Sequence, residues 1–171
     1  ICTDALSSLA PNLVSRAISF ENPSGEPGMG GREASPLGAG RKGSAVRHIH
    51  DGETLQLADI QGNGTIRHIW MTMHGKPHLL RGAVLRFYWD GQDHPGIELP
   101  VGEFFGFAHG KADSFQTAVH SVSSTKGMNI WLPMPFTSGV RIEIENQSGD
   151  RIPLFFQIDY TLGDGHPDNV G

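Results

Sequence analysis

Cysteine is nearly absent from this 171-residue sequence, in which Cys2 stands alone. A single cysteine excludes an internal disulfide framework and leaves the redox compartment open. No apolar run approaches the roughly 20 residues that a membrane-spanning helix needs, so no membrane partner is expected. The sequence also has no P-loop, no dinucleotide-binding fingerprint and no G-x-S-x-G elbow, which excludes the common NTP, NAD and hydrolase-fold sites.

Positive charge is scarce as well. The sequence has 13 Lys and Arg against 18 Asp and Glu, for a formal charge of -5 and a pI near 5.9. The basic residues are scattered, and only Arg41 and Lys42 are adjacent. This pattern excludes a basic nucleic-acid-binding surface. No basic-then-apolar leader is seen, but the sequence begins at Ile1, so its localisation stays open.

Glycine and proline are plentiful, with 23 and 11 residues, and they concentrate between Ser19 and Glu33. Their spacing there is too close for any regular ladder of hydrogen bonds, so the segment is predicted to be a loop. Strand-like sequence follows it, which favours a binding loop held over a rigid sheet. A mobile surface loop explains the same composition, and both interpretations stay open at this point.

Strands are predicted by alternation of apolar and polar residues, which is clearest at 83–90, 140–145 and 154–161. Weaker candidates are 45–50, 54–60, 65–73, 97–101, 115–119 and 128–132. Turn residues separate these runs, and Asp90-Gly91 is the best hairpin signal. No long helical period appears after Pro11.

Many short strands with regular turns predict an all-β fold, specifically a jelly-roll β-sandwich. The predicted organisation is an N-terminal segment with a short helix at 1–17, the jelly-roll domain at 18–162 and the start of a connection at 163–171. The length of the chain suits one domain with a real core.

Two histidines on one strand face form a candidate metal motif. His48 and His50 are two residues apart, and Glu53 follows them. This resembles the first metal motif of the cupins, which are also jelly rolls, although the family's glutamate is farther from its second histidine. A zinc or iron site needs a third ligand. The alternative is two half-exposed histidines with no metal.

Paired carboxylates are a second candidate, because glycoside hydrolysis uses one as acid and one as base or nucleophile. Glu21 lies in the loop, and Glu98 and Glu103 flank a strand end before the aromatic run 104–107. Aromatic residues beside carboxylates suit sugar stacking, but a hydrophobic core explains the same residues. Trp70 and Trp131 carry the same two interpretations, as core anchors or as binding platforms.

A series of sequence blocks resembles one bacterial family, glycoside hydrolase family 172, formerly a domain of unknown function. The blocks occur in the family's order from Arg16 onward, and together they are more specific than any one of them. They are 19–25, 30–31, 40–43, 57–70, 87–91, 94–95, 100–106, 132–136 and 157–161. The first block departs from the better-characterised members, which have Ser-Tyr-Asp-Arg-Thr-Gly-Gly-Asn where this chain has Phe20, Glu21 and Asn22. Substrate choice is therefore expected to differ.

The resemblance implies two tandem jelly rolls, of which this chain is the first. It also implies homotrimers or higher assemblies of trimers, and activity on an oligosaccharide or glycoside with fructofuranoside or arabinofuranoside linkages. Members resemble one another in using two glutamates in a retaining mechanism without a cofactor. Those glutamates are expected downstream of Gly171, so this chain is interpreted as an N-terminal fragment.

Within the chain, the resemblance implies that Phe20, Glu21, Asn22 and Arg32 shape the substrate-binding pocket, with Trp70 as a weaker candidate. Glu103 is the alternative candidate for an acid. Two other functions stay open: a non-catalytic carbohydrate-binding β-sandwich, and a structural or assembly domain.

Overall fold

The structure is a computed structural model that describes residues 12–32, 43–107 and 113–165. The helix predicted before Pro11 and most of the predicted connection at 163–171 lie outside the described residues. The helices within these ranges are all too short or too polar to cross a bilayer.

The described residues form twelve β-strands and two short helices. The helices are α1 (Pro77–Gly82) and α2 (Val101–Phe104). In chain order the strands are β1 (Val14–Ser19), β2 (Arg47–Ile49), β3 (Thr54–Gln61), β4 (Gly64–Thr72), β5 (Ala83–Trp89), β6 (Ile97–Pro100), β7 (Phe115–Gln116), β8 (His120–Val122), β9 (Met128–Ile130), β10 (Met134–Phe136), β11 (Gly139–Asn146) and β12 (Ile152–Leu162).

The strands form two antiparallel sheets that pack face to face. The larger sheet has the order β1-β12-β4-β9-β8-β7, with β10 also on β4 and β2 also on β12, and the smaller has the order β3-β11-β5-β6. The strands β1, β12, β4 and β9 of the larger sheet thus face β3, β11, β5 and β6, and chain neighbours such as β3 and β4 lie in opposite sheets. This is the strand order of a jelly roll, so the predicted all-β sandwich is confirmed.

The core lies between the two sheets, and the alternation of apolar and polar residues along the strands identifies its members, as the sequence predicts. On β12, Leu154, Phe156, Ile158 and Tyr160 are buried, while the residues between them face outward. On β11, Val140, Ile142 and Ile144 are buried in the same way. The aromatic run 104–107 contributes to this core, because its three phenylalanines are buried. For that run the core interpretation is correct.

Two of the differences between the structure and the predicted elements concern residues 14–19 and 77–82. Val14–Ser19 is the edge strand β1, paired with β12 from Val14↔Leu162 to Ser19↔Gln157, so the sheet begins inside the segment assigned to 1–17. Its alternation is weak because Arg16 and Ala17 are only partly buried. The second difference is the short helix α1, which the sequence analysis does not predict; Pro77 starts it, and the fixed φ of proline suits the first turn.

A β-bulge on β4 determines which of its side chains face outward. Asp159 pairs with His68 and Tyr160 pairs with Ile66, so Arg67 is the extra residue. The side chains of Arg67 and His68 both reach outward residues of β12, namely Thr161 at 3.0 Å and Asp159 at 2.8 Å. Strict alternation would send these two neighbours to opposite faces, and the bulge removes that requirement.

The outward face of the smaller sheet is occupied by ion pairs. Arg86 Nε lies 2.8 Å from Glu98 Oε1, and its NH1 lies 2.6 Å from Glu145 Oε2. The hydrogen bond to Arg86 is the largest cause that lowers the pKa of Glu145. Arg141 pairs with Glu143 and also lies over the ring of Tyr88, 3.8 Å from its centroid. Ion pairs therefore join neighbouring strands on this face.

Asp90 fixes the turn that precedes β11. It has a left-handed backbone, with φ of 51°, and its Oδ1 accepts backbone N–H bonds from Thr137, Ser138 and Gly139 at 2.6–3.1 Å. Partial burial acts to raise the pKa of Asp90, but the donated hydrogen bonds outweigh it and the pKa is lowered. The ionised carboxylate therefore stabilises the folded state.

Replacing Asp90 by Ala should lower the free energy of unfolding by about 1 kcal/mol at pH 7, because three backbone donors lose their shared acceptor. The pKa of Asp90 is lower in the folded state than in the unfolded state, where it is about 3.9. The stability that the Asp90 carboxylate contributes is therefore complete above about pH 3.9, and it is lost as the pH falls through the folded-state pKa. Urea unfolding of wild type and Asp90→Ala from pH 7 toward pH 3 should show the difference shrinking. Asp93→Ala is the control, because Asp93 is exposed and lies in the same connection between β5 and β6; it should change the free energy of unfolding little. An effect of Asp90→Ala that does not depend on pH would contradict this role for the carboxylate.

Candidate functional site

A cleft of about 390 Å³ opens on the outward face of the larger sheet, beside the end of β1. The sheet supplies its floor through residues of β4 and β12, and the segments after β1 and before β2 supply its walls. Its lining combines aromatic rings with one carboxylate, one amide and one hydroxyl. The lining residues are Ser19, Phe20, Glu21, Gly31, Ala45, Trp70, Phe155, Phe156 and Gln157.

Phe20 anchors the loop that follows β1. It is 4 % exposed, and its ring meets Phe156 edge-on with centroids 4.6 Å apart. The Arg47 guanidinium carbon lies 5.3 Å from the centroid of the same ring. Ser19 and Asn22 exchange backbone hydrogen bonds of 3.2 and 3.0 Å, which close a tight turn around Phe20 and Glu21. The buried ring therefore fixes where the next residue, Glu21, projects.

Glu21 joins two segments of the cleft wall. Its Oε1 accepts hydrogen bonds from the backbone N–H groups of Gly43 and Ser44, both at 3.0 Å. Its backbone carbonyl accepts another from Gly31 at 3.0 Å. Its second carboxylate oxygen, Oε2, is shielded from solvent and has no hydrogen-bond partner among the residues that the structure describes. A buried acceptor without a donor is costly, and a ligand hydroxyl is a group that would satisfy it.

The floor of the cleft presents outward side chains of the central strands. Gln157 lies opposite Trp70 of β4 on one side and opposite Ser19 of β1 on the other. Trp70 and Phe155 are half-buried, so their rings are available to the cleft. An aromatic surface beside an amide and a carboxylate is typical of a site for a small polar ligand with an apolar face.

The structure brings together three of the five residues that the sequence assigned to a pocket: Phe20, Glu21 and Trp70. Asn22 and Arg32 are not among the lining residues. The Asn22 amide donates to the Glu26 carbonyl at 3.1 Å, within its own turn, and Arg32 is exposed where the described loop ends. Their substrate-binding roles stay predictions.

Glu103 lies away from the cleft. It belongs to α2, and its Oε1 forms an ion pair of 3.2 Å with Arg81 of α1. Its other carboxylate oxygen is buried and has no hydrogen-bond partner within the described ranges. The ion pair ties the two short helices together, which supports a structural role for this residue.

His48 and His50 are both exposed, on either side of the buried Ile49. Glu53 is engaged elsewhere, since its Oε2 accepts the backbone N–H of His50 at 2.8 Å. Within the described ranges no three His, Cys, Asp or Glu side chains gather closely enough to hold a metal ion. The structure therefore gives these two histidines no third ligand in the part of the chain it covers.

Several lining residues were not singled out from the sequence. Ser19 and Gln157 belong to the sequence blocks 19–25 and 157–161 that resemble the family, and Gln157 lies in the alternating run 154–161. Ala45 and Phe155 carried no signal of their own. Ser19, Phe155 and Gln157 reach the cleft because the sheet aligns β1, β12 and β4 in one register, and Ala45 reaches it from the segment before β2.

These features define a jelly-roll β-sandwich domain with a small aromatic and acidic cleft on its larger sheet. The family model described as the GH172 first beta-sandwich domain matches residues 19–164. The chain therefore belongs to glycoside hydrolase family 172, and the match is to the first β-sandwich domain of that family. Among curated proteins no match was found.

Gly25 supports the loop that carries Glu21, and its replacement by Ala should destabilise the domain by about 2 kcal/mol. It has φ of 68°, and a Cβ there would lie 2.6 Å from the Tyr160 hydroxyl oxygen and 3.0 Å from Ile18. Tyr160 is 5 % exposed, and this burial raises the pKa of its hydroxyl, so the side chain below the loop is neutral and packed in the core. Thermal unfolding checks the effect.

The matched control is Gly30→Ala, in the same loop, where a Cβ meets no heavy atom within 4 Å and φ is not positive. It should leave the melting temperature close to that of wild type. Equal melting temperatures for Gly25→Ala and Gly30→Ala would show that the loop is not packed on Tyr160 as described.

Proposed function

We propose that this domain forms part of the substrate pocket of a retaining glycoside hydrolase that acts on fructofuranosides or arabinofuranosides. Family membership supports the class of enzyme. The observation that carries the proposal is the cleft itself, where Glu21 and Gln157 stand beside the Trp70 ring. These groups suit the hydroxyls and the apolar face of one sugar ring.

Each side chain has a definite role in this proposal. The indole of Trp70 packs against the carbon–hydrogen face of the sugar. Glu21 Oε2 accepts a hydrogen bond from a ring hydroxyl, while Oε1 keeps the wall at Gly43 and Ser44 in place. Gln157 offers both a donor and an acceptor. Contacts to hydroxyls that strengthen in the transition state contribute to the rate of glycoside hydrolysis.

The catalytic carboxylates are assigned to residues outside this domain. A retaining mechanism needs two carboxyl groups about 5 Å apart, one as nucleophile and one as acid/base. Among the described residues, Glu21 is the only carboxylate that lines the cleft. One carboxylate, already holding two backbone amides, does not make such a pair. In this proposal Glu21 positions the substrate, and both catalytic glutamates come from a later part of the polypeptide.

The complete gene product should hydrolyse nitrophenyl furanosides, and Trp70→Ala should lower kcat/KM about tenfold or more, because the sugar loses its stacking surface. Glu21→Gln should lower kcat/KM by a similar factor, while the melting temperature changes little since the amide oxygen still accepts from the wall. The measurement is steady-state kinetics on fructofuranosyl and arabinofuranosyl substrates.

Glu26→Gln is the matched control, because Glu26 is an exposed carboxylate of the same loop that does not line the cleft. Its kcat/KM should stay within about twofold of wild type. Failure of the wild-type protein to cleave any furanoside would overturn the proposal.

A non-catalytic carbohydrate-binding domain is the second candidate, and the single carboxylate in the cleft favours it. It predicts saturable binding of furanosides by calorimetry with no turnover from the complete gene product. Turnover that disappears on mutation of a glutamate pair outside residues 1–171 would exclude it.

Assembly into homotrimers is a separate proposal that rests on the family resemblance alone. Light scattering coupled to gel filtration should give three times the mass of one complete chain, or a multiple of that value. A monomeric mass would contradict it.

A further inference from the structure

Trp131 is an exposed indole next to the cleft that the proposed function does not use. It follows β9 and is 45 % exposed, and its backbone N–H donates to the Val119 carbonyl at 2.8 Å. One face of the ring lies against the imidazole of His68, with centroids 5.1 Å apart and planes 11° apart. The exposed part of this side chain is therefore the part of the indole that does not contact His68.

His68 is held in place at both ring nitrogens. Its Nδ1 lies 2.8 Å from Asp159 Oδ2, and its Nε2 lies 3.1 Å from Asn129 Oδ1. The Asn129 amide is fixed in turn by a bond of 3.4 Å to the Ser121 carbonyl. Since the imidazole has one orientation, the indole stacked on it is presented as a fixed flat surface.

This surface is continuous with the cleft. Gln157 lines the cleft, and its amide donates to Asp159 Oδ1 at 2.8 Å. Trp70 pairs with Asn129 in the sheet, and the same register continued past Ile130 places Trp131 opposite His68. Successive outward residues on one strand are about 7 Å apart, so Trp131 lies roughly 10 Å from the cleft floor.

We propose that Trp131, supported by His68, is a second sugar-binding platform that takes a further ring of an oligosaccharide whose furanose occupies the cleft. This inference rests on the proposed function. The indole supplies the stacking face, and Asn129 and Asp159 beside it supply polar atoms for ring hydroxyls. The polar groups around the indole favour a sugar as its ligand, because the core of a protein–protein interface is usually apolar. Leu132 is the adjacent exposed apolar residue.

The test compares ligands of different length on the complete gene product. Calorimetry is run with a methyl furanoside, which fills only the cleft, and with a furanose trisaccharide. Trp131→Ala should weaken trisaccharide binding about tenfold and leave methyl furanoside binding within about twofold. Trp131→Phe keeps an aromatic face and should retain most of the trisaccharide affinity.

Leu132→Ala is the matched control, because it removes an equally exposed apolar side chain from the next position and should change neither affinity. Three results would overturn the inference and leave the cleft intact: equal weakening of both ligands by Trp131→Ala, no weakening of either, or a smaller assembly mass for Trp131→Ala by light scattering. The last would make the indole a contact between copies of the chain. If wild type binds neither ligand, the proposed function itself fails.

Discussion

The antiparallel register of β12 against β1 and β4 is the constraint on which the rest of the structure depends. It places Ile158 between Ile18 and Ile69 in the core, and Gln157 between Ser19 and Trp70 on the outside. Because side chains alternate along a strand, a slip of one residue would exchange these two sets. The same pairing therefore determines both the packed interior and the chemistry of the outward face.

The two outward faces of the sandwich are built differently, and this separates structure from candidate function. The smaller sheet is covered by paired charges around Arg86, which satisfy one another. The larger sheet carries aromatic rings among side chains held by hydrogen bonds, from Trp70 and Gln157 to His68 and Trp131. On the larger face the loop after β1 rises over the sheet and adds the carboxylate of Glu21, whose second oxygen has no hydrogen-bond partner among the described residues.

The sequence predicts the fold well because alternation reports burial directly on β5, β11 and β12. It does not predict β1, whose partly exposed edge position blurs the pattern, nor the bulge at Arg67, which depends on pairing with a distant strand. In the site, Phe20, Glu21 and Trp70 were predicted through family resemblance. Gln157 and Phe155 were not, because sequence alternation shows that a side chain points outward but does not show which neighbours it meets.

The most direct test of this account is a crystal structure of the complete gene product with a furanose trisaccharide bound. We expect one ring in the cleft, against Trp70 and within hydrogen-bonding distance of the Glu21 carboxylate, and another over the exposed face of Trp131. A sugar bound only on the smaller sheet, or an oligosaccharide path that avoids Glu21 and Trp70, would contradict it.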